Sequence, residues 1–140
     1  MADCVFCKIR DGQIPSFKIY EDSKALAFMD RNPLNPGHCL VITKSHAATI
    51  FEVEVLDLQA VIAAVKKVAN AVKGAVQADG VNILQANGGA AFQSVPHLHF
   101  HVIPRFTNDG KGFDWKLVPG DREQIMKIGD KLRTHLGGEA

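Results

Sequence analysis

Three of the six histidines in the chain lie at alternate positions of one short stretch, QSVPHLHFHVIPR. Side chains two residues apart point to the same face of a β-strand, so a strand here would place His97, His99 and His101 on one face. The apolar residues between them would then enter the core. Strand propensity does not explain the pattern, because Val, Thr or Tyr would suit an exposed face better. The spacing therefore indicates that the three histidines form a functional site.

Two kinds of chemistry fit three imidazoles on one face. Neutral imidazole is a common zinc ligand, and catalytic zinc is often held by three histidines. Alternatively, one histidine is a nucleophile toward phosphate while its neighbours manage protons and charge. The preceding residues favour phosphate, because backbone N–H groups of the Asn87-Gly88-Gly89 loop can approach an anion, and Gln93 and Ser94 add donors. No closely spaced pair of carboxylates suggests a two-metal site.

The cysteines raise a second question. Cys4, Cys7 and Cys39 are an odd count, and no secretory signal is visible, so a disulfide framework is not expected. The C-x-x-C pair has three interpretations: two small apolar residues in a first turn, one half of a metal site, or a redox motif. The redox motif is the least favoured, because such pairs usually belong to a βαβ unit. Packing and metal binding stay equally open.

The composition of the chain is that of an ordinary globular protein. The 140 residues suffice for one domain with its own core, and 46% are hydrophobic while 22% are charged. A formal net charge of +1 gives no support for a nucleic-acid or membrane partner. Neither an apolar run long enough to span a bilayer nor a signal peptide is visible, so we expect a cytoplasmic protein.

Periodicity predicts the elements that position the histidines. Apolar residues recur every three or four positions over 54–79 and predict a long helix. A second helix is predicted over 119–137, ended by Gly137. Its inward face would consist of Ile125, Ile128, Leu132 and Leu136. Strands are predicted in SFKIYED, KALAFMD, HCLVITK, VNILQA and HLHFHVI. This pattern indicates an α+β fold on an antiparallel sheet.

The stretch HLHFHVI fits the H-x-H-x-H signature of the histidine triad (HIT) nucleotide hydrolases. The N-terminal stretch CVFCKIRDGQIPSFKIYEDSKALAFMDRNPLNPGHCLVITKSH also resembles the bacterial Hint-like branch of that family. A uridylyl-transferring branch has glutamine in place of the third histidine, so His101 favours the hydrolase side. The resemblance implies one domain over 1–140, with a five-stranded antiparallel sheet and two helices. It also implies a homodimer whose two sheets join edge to edge.

The resemblance assigns the chemistry to His99, which would attack the α-phosphorus of a nucleoside 5′-phosphate derivative such as a phosphoramidate. A covalent nucleotidyl-histidine would form, and water would then release the nucleoside monophosphate. His101 would bond the phosphate or the departing atom, and Ser94 and Gln93 would contact phosphate oxygens or the leaving group. His97 belongs to the catalytic set as a residue that orients the others.

The family also implies a cleft for the nucleoside of a purine nucleotide. Its apolar positions correspond to Val5, Phe6, Ile9, Ile14 and Phe28, and Asp30 would bind the ribose hydroxyls. Simple core packing is an equally good interpretation of each apolar residue, and Asp30 could instead cap a strand end. The predicted substrate contacts also include Asn87, Gln93, Ser94, Val95, His99 and His101.

Some bacterial relatives hold one structural zinc ion, and the matching residues here are Cys4, Cys7, His46 and His97. Two thiolates and two imidazoles make a closed tetrahedral set with no open position. The resemblance also places His38 near the triad as a supporting partner, whereas His135 is expected at the surface and Cys39 in the core.

Two positions depart from the family pattern. Ala86 stands where relatives usually have Asn or Gln, with Asn87 one step further, so a polar contact to substrate would be lost unless the loop shifts. Phe92 occupies a place where many relatives have glycine. Two other functions remain in competition with the phosphoramidate hydrolase: hydrolysis of dinucleoside polyphosphates, as in the Fhit-like branch, and a non-catalytic nucleotide- or zinc-binding module.

Overall fold

A computed structural model describes residues 3–137 of the chain. In chain order these residues form α1 (Val5–Arg10), β1 (Lys18–Glu21), β2 (Ala25–Met29), β3 (Cys39–Thr43), α2 (Val55–Ala75), β4 (Gly80–Leu84), β5 (His99–Arg105) and α3 (Arg122–His135). A single 3₁₀ turn, Gly89–Ala91, precedes β5. The predicted α+β class and five-stranded sheet are confirmed, and the short helix α1 is an addition that periodicity did not predict.

The sheet has the order β1-β2-β3-β5-β4, and every neighbouring pair is antiparallel. The register between β3 and β5 pairs Ile42 with His99 and Leu40 with His101. Directly paired residues share a face, so this register places the two histidines beside apolar side chains of the neighbouring strand. The predicted alternation is therefore confirmed for His99 and His101, whereas His97 lies before β5, which begins at His99.

Each face of the sheet carries its own apolar cluster. One cluster packs α2 against β2, β3 and β5, and Phe100 and Val102 of β5 belong to it. The other packs α1 against the opposite side of β2 and β3. Because α1 lies on the same face as the paired histidines and their partners, the N-terminal cysteines are brought toward the triad.

Helix α2 ends earlier than predicted, at Ala75 rather than at residue 79. Gln77 adopts a left-handed backbone with φ 53°, and the backbone N–H of Ala78 donates to the carbonyl of Lys73 at 3.1 Å. This is the usual way in which a helix end satisfies its last carbonyls, and side-chain periodicity does not report it.

Packing divides the described residues into two units, with the boundary between Asp109 and Gly110. In the second unit, the side chain of Asp121 caps α3 by accepting from the backbone N–H of Gln124, and Gly137 follows the helix with φ 77°. The prediction that the apolar stripe of α3 points inward is wrong for this chain, since the four residues are 47–85% exposed: Ile125, Ile128, Leu132 and Leu136. Periodicity reveals an apolar face, but it does not reveal what covers that face. The prediction of a single domain over 1–140 stays a prediction.

Within residues 3–137, no helix is both long enough and apolar enough to cross a bilayer.

Candidate active site

An apolar cleft of about 320 Å³ opens beside the histidines. Its wall includes ten of the residues expected to contact substrate: Val5, Phe6, Ile9, Ile14, Phe28, Asp30, Ser94, Val95, His99 and His101. Helix α1, the turn after it, β2 and β5 each supply part of this set. Asn87, Gln93 and His97, by contrast, are not among the residues that line the cleft. An apolar slot with a few polar groups at one end suits a small organic ligand.

His99 is held in one orientation by the main chain. Its Nδ1–H donates to the carbonyl oxygen of His97 at 2.7 Å, which leaves the lone pair of the neutral ring on Nε2. The ring is 5% exposed, and the edge of Phe6 packs against it with ring centroids 5.0 Å apart. Burial lowers the pKa of His99 and outweighs the hydrogen bond to His97, which acts in the opposite direction. A neutral imidazole with a free Nε2 is the nucleophilic form.

A short chain of hydrogen bonds fixes the protonation of His101. The backbone N–H of Leu34 donates to Nδ1 of His38 at 3.0 Å, so a neutral His38 carries its proton on Nε2. That nitrogen lies 3.0 Å from Nδ1 of His101 and 3.3 Å from a carboxylate oxygen of Asp30. His101 therefore accepts at Nδ1 and keeps its own proton on Nε2. His38 thus lies next to the triad, as the resemblance implied, and it orients the ring of His101 through a hydrogen bond.

Burial also keeps His101 neutral. Desolvation, followed by the nearby His99 and His38, lowers the pKa of His101 to about 4, and the carboxylate of Asp30 only partly offsets this. His38 also has a lowered pKa because it is buried, again against the influence of Asp30. At neutral pH both His38 and His101 are therefore uncharged, and each can donate one N–H.

The lowered pKa of His101 predicts that the stability of the fold decreases at acidic pH. Unfolded His101 titrates near pH 6.5 and the folded residue near 4, so the unfolded state binds more protons between these values and stability falls as the pH drops. Between pH 7 and pH 5 we expect His101 to cost about 2 kcal/mol of the free energy of unfolding. Urea denaturation of wild type and His101→Gln at both pH values measures it. The variant should lose that much less on acidification, and equal losses in the two proteins would contradict the assignment.

The side chain of Gln93 links the loop before β5 to the loop after β3 through hydrogen bonds. Its Nε2 group donates to the carbonyls of Ala48 at 2.6 Å and Val95 at 3.0 Å, and its Oε1 accepts from the backbone N–H of Gly88 at 2.7 Å. Both amide protons are used within the protein. The predicted contact of Gln93 with substrate stays a prediction, and the role visible in the structure is to hold the loop that presents Ser94 to the cleft.

The two departures from the family pattern lie in the same loop. Neither Ala86 nor Asn87 lines the cleft. Oδ1 of Asn87 accepts from the backbone N–H of Ile50 at 2.7 Å, and its amide pairs with that of Gln85. Phe92 has a left-handed backbone with φ 64° and a side chain that is 90% exposed. A bulky residue in this conformation is strained, which explains why glycine suits the position.

Sequence reasoning missed several cleft residues: Pro15, Ser16, Met29, Arg31, Asn32 and Leu40. The register of β3 against β5 brings in Leu40, and a register cannot be read from one strand alone. The hydroxyl of Ser16 is buried without a hydrogen-bond partner in the described chain. Arg31 and Asn32 directly follow Asp30 in the sequence. Their position next to this predicted cleft residue could have indicated that they also line the cleft.

The four predicted metal ligands form a compact group, here called the metal quartet: Cys4, Cys7, His46 and His97. Nδ1 of His97 lies 3.3 Å from Sγ of Cys4, 3.6 Å from Sγ of Cys7 and 3.2 Å from Nδ1 of His46. A fourth pair, Sγ of Cys7 and Nδ1 of His46, is 3.4 Å apart, and all four ligand atoms lie within 4.8 Å of one another. Usual zinc bonds to nitrogen and sulfur give a tetrahedron with edges of about 3.3–3.8 Å. The donor types and their separations therefore fit one tetrahedral zinc ion.

The second ring nitrogen of His97, Nε2, also has the hydrogen bond expected of a metal ligand. Its Nε2–H donates to the carbonyl of Thr43 at 2.7 Å, so a neutral ring presents the lone pair of Nδ1 to the quartet. The ring is fully buried, and burial lowers the pKa of His97 to about 4. Metal-binding histidines commonly donate their second nitrogen to a carbonyl in this way.

Comparison with known proteins agrees with this architecture. Residues 11–108 match the family model described as the HIT domain. The chain is 44% identical to "Protein hit" of Bacillus subtilis, covering 96% of this chain and 94% of that protein. It is 36% identical to "Adenosine 5'-monophosphoramidase HNT1" of Candida albicans, covering 96% and 92%. A Zn-bound histidine triad family protein from Mycobacterium smegmatis superposes with a TM-score of 0.76 at 34% identity, covering 97% and 96%.

Fold and site together define a small α+β protein with a cluster of neutral imidazoles beside an apolar cleft. The chain belongs to the HIT family, since the family model spans more than half of it and relatives above 30% identity span nearly all of it.

Proposed function

We propose that this protein is a nucleotidyl hydrolase that cleaves nucleoside 5′-phosphoramidates or related nucleotidyl conjugates. The observation that carries the proposal is the 2.7 Å hydrogen bond from Nδ1 of His99 to the carbonyl of His97, because it directs Nε2 to substrate as a neutral nucleophile. Nε2 of His99 attacks the α-phosphorus as the bond to the leaving group breaks, and a departing amine takes its proton from solvent. The resulting nucleotidyl-imidazolium keeps its Nδ1–H on the same carbonyl until water releases the nucleoside monophosphate.

The other polar groups of the cleft surround the phosphate in this proposal. His101 is neutral and carries its proton on Nε2, so it acts as a hydrogen-bond donor to a phosphate oxygen rather than as a strong acid. Ser94 also lines the cleft and adds a hydroxyl donor. Donors that are already oriented stabilise charge in the transition state without reorganising.

Asp30 is proposed to bind the ribose. Its Oδ1 accepts from the backbone N–H of Asn32 at 2.8 Å and its Oδ2 faces His38, yet each carboxylate oxygen has a second lone pair for a ribose hydroxyl. We expect Asp30→Ala to raise the KM for a nucleoside phosphoramidate by about 10- to 100-fold, the usual effect of losing a charged hydrogen bond. Steady-state kinetics and thermal unfolding measure this. Unchanged KM in a folded variant would remove Asp30 from the nucleoside site.

Substrate comparison tests the proposed reaction against its competitors. Turnover of adenosine and guanosine phosphoramidates should exceed turnover of diadenosine polyphosphates, and the "Adenosine 5'-monophosphoramidase" name of the Candida albicans relative supports the first class. Faster cleavage of diadenosine polyphosphates would favour the second hydrolase class. Binding of nucleotide without turnover of any of these compounds would identify a non-catalytic module.

Zinc is proposed as a structural ion of the metal quartet. The fit of the donor separations to a tetrahedron and the Zn-bound relative from Mycobacterium smegmatis both support this proposal. Bound there, zinc would cross-link the N-terminal segment to His46 in the loop after β3 and to His97 just before β5, and it would have no open coordination position for chemistry.

Metal analysis tests the ligand set. Wild type should contain about one zinc ion per chain, whereas Cys4→Ala and Cys7→Ala should contain much less, because each removes one of four ligands. Cys39→Ala is the matched control, since Cys39 is buried in the cluster against α2 and bonds the carbonyl of Gly37. Unchanged metal in either quartet variant would exclude these ligands.

A homodimer is also proposed. Strand β4 is an edge of the sheet, and its Ile83 and Leu84 are 41% and 37% exposed. Pairing of two such edges would join two sheets into one and cover apolar surface. Sedimentation equilibrium decides the point: a dimer supports the proposal, and a monomer at micromolar concentration contradicts it.

A further inference from the structure

We propose that Arg31 recognises the nucleobase and makes the cleft selective for guanine over adenine. This inference rests on the proposed function, because it names the base of the nucleotide that the hydrolase prefers. Arg31 is then a specificity-determining residue. Its guanidinium donates two hydrogen bonds to O6 and N7 of guanine, and it takes no part in the attack by His99.

The described contacts order the cleft outward from the histidines. His99 and His101 mark the phosphate end. Oδ2 of Asp30 lies 3.3 Å from Nε2 of His38, which lies 3.0 Å from Nδ1 of His101. Asp30 is therefore the next polar group beyond the phosphate, where the ribose of a nucleotide follows. Arg31 is the next residue of the chain and also lines the cleft, so it lies toward the base.

A second segment, residues 14–16, borders this outer end of the cleft. The backbone N–H of Met29 donates to the carbonyl of Phe17 at 2.9 Å, which continues the antiparallel pairing of β1 and β2. Residues before Phe17 therefore run alongside residues after Met29, and both 14–16 and 30–32 line the cleft. The first segment offers mostly apolar surface to the flat face of a base, and the second offers polar groups to its edge.

Arg31 stands on an ordered backbone, and its side chain has no ionic partner in the described chain. Oδ1 of Asp30 accepts from the backbone N–H of Asn32 at 2.8 Å, which closes a turn with Arg31 at its corner. The backbone N–H groups of Asp30 and Leu34 donate to the carbonyl and to Nδ1 of His38. Among residues 3–137, no carboxylate lies within 4.0 Å of the Arg31 guanidinium. Its donors are therefore available to a ligand.

The chemistry of a guanidinium favours guanine among the purines. A guanidinium is a planar fork of N–H donors without an acceptor. Guanine offers two adjacent acceptors on one edge, O6 and N7, whereas adenine offers N7 beside the donor N6–H₂. Two parallel hydrogen bonds therefore form with guanine, but with adenine one donor faces another donor. Because Arg31 is exposed to solvent, we expect a preference toward the low end for such pairs, about tenfold in kcat/KM.

Kinetics with two phosphoramidates of the same amine, one of guanosine and one of adenosine, test the inference. Wild type should show about tenfold higher kcat/KM for the guanosine compound, and Arg31→Ala should lose that factor while its kcat/KM for the adenosine compound stays within about twofold. Arg31→Lys keeps the charge but lacks the planar fork, so it should also lose most of the preference. Arg31→Gln should reverse the preference, because a glutamine amide pairs with N6 and N7 of adenine.

Lys66→Ala is the matched control. It removes one positive charge from the exposed side of α2, which packs against the face of the sheet opposite to the cleft. This variant should keep the wild-type ratio between the two substrates. Equal losses on both substrates in Arg31→Ala would place the guanidinium on the phosphate or the ribose and overturn the inference. Equal kcat/KM of wild type for the two compounds would overturn it as well.

Binding of the product nucleotides separates this inference from the proposed reaction. Isothermal titration calorimetry with guanosine and adenosine monophosphates needs no turnover. Wild type should bind guanosine monophosphate about tenfold more tightly, and Arg31→Ala should bind the two with equal affinity. This result without hydrolysis of any phosphoramidate would support base recognition and count against the proposed function alone. Equal affinities in wild type, or binding of neither nucleotide, would overturn base recognition by Arg31.

Discussion

Replacing His99 with alanine should lower kcat on phosphoramidate substrates by about 10⁴-fold or more, the scale seen when an enzyme loses its nucleophile. No other imidazole can take over the attack. His97 faces the metal quartet and Thr43, and His101 has its Nδ1 occupied by His38 and its Nε2 protonated. The residual rate should come from binding and hydrogen-bond donors alone.

Two controls make this result specific to chemistry. Nucleoside monophosphate should still bind His99→Ala within about tenfold of wild type, because the other residues of the cleft wall, including Asp30, are unchanged. His135→Ala should retain wild-type kcat. Turnover by a folded His99→Ala protein within tenfold of wild type would show that another group attacks the phosphorus.

Replacing His101 with alanine should lower kcat by about 10²- to 10³-fold, the usual loss when one oriented donor to a developing oxyanion is removed. The structure predicts more than the size of this loss. His38 donates to Nδ1 of His101, and burial keeps the ring neutral, so its Nε2–H is suited to hydrogen bonding rather than to proton transfer. The loss should therefore be similar for every leaving group, since the phosphate is common to all of them.

Two adenosine substrates separate these roles of His101. An amine leaving group needs a proton, whereas a p-nitrophenolate leaving group does not. We expect His101→Ala to lose activity equally on an adenosine phosphoramidate and on the p-nitrophenyl ester of adenosine monophosphate. A large loss confined to the amine substrate would instead assign protonation of the departing atom to His101.

The sequence predicted those parts of the fold that a repeating pattern determines. Alternation in HLHFHVI predicted that Phe100 and Val102 enter the core and that His99 and His101 lie on the opposite face of β5, because successive side chains of a strand point to opposite faces. The 3.6-residue period found α2 but not its end, which depends on the backbone of Gln77. Helix α1 is too short to show a period at all.

The sequence predicted which residues lie together at the candidate site, but it did not predict their contacts. Residue types in the H-x-H-x-H and C-x-x-C motifs named the triad and the quartet, and the fold brings each group together. Hydrogen bonds between distant loops could not be predicted. Gln93 and Asn87 carry the right donors for a phosphate, yet both direct their amides to neighbouring loops. The bond from Leu34 to His38, which orients His101, likewise arises only in the folded chain.

Mass spectrometry of acid-quenched reactions with an adenosine phosphoramidate tests the central claim most directly. The account predicts a transient adenylyl adduct that maps to His99, appears before steady state, and is absent from His99→Ala. Rapid turnover by wild type with no adduct on any histidine at the earliest quench times, or an adduct on His97 or His101 instead, would contradict it.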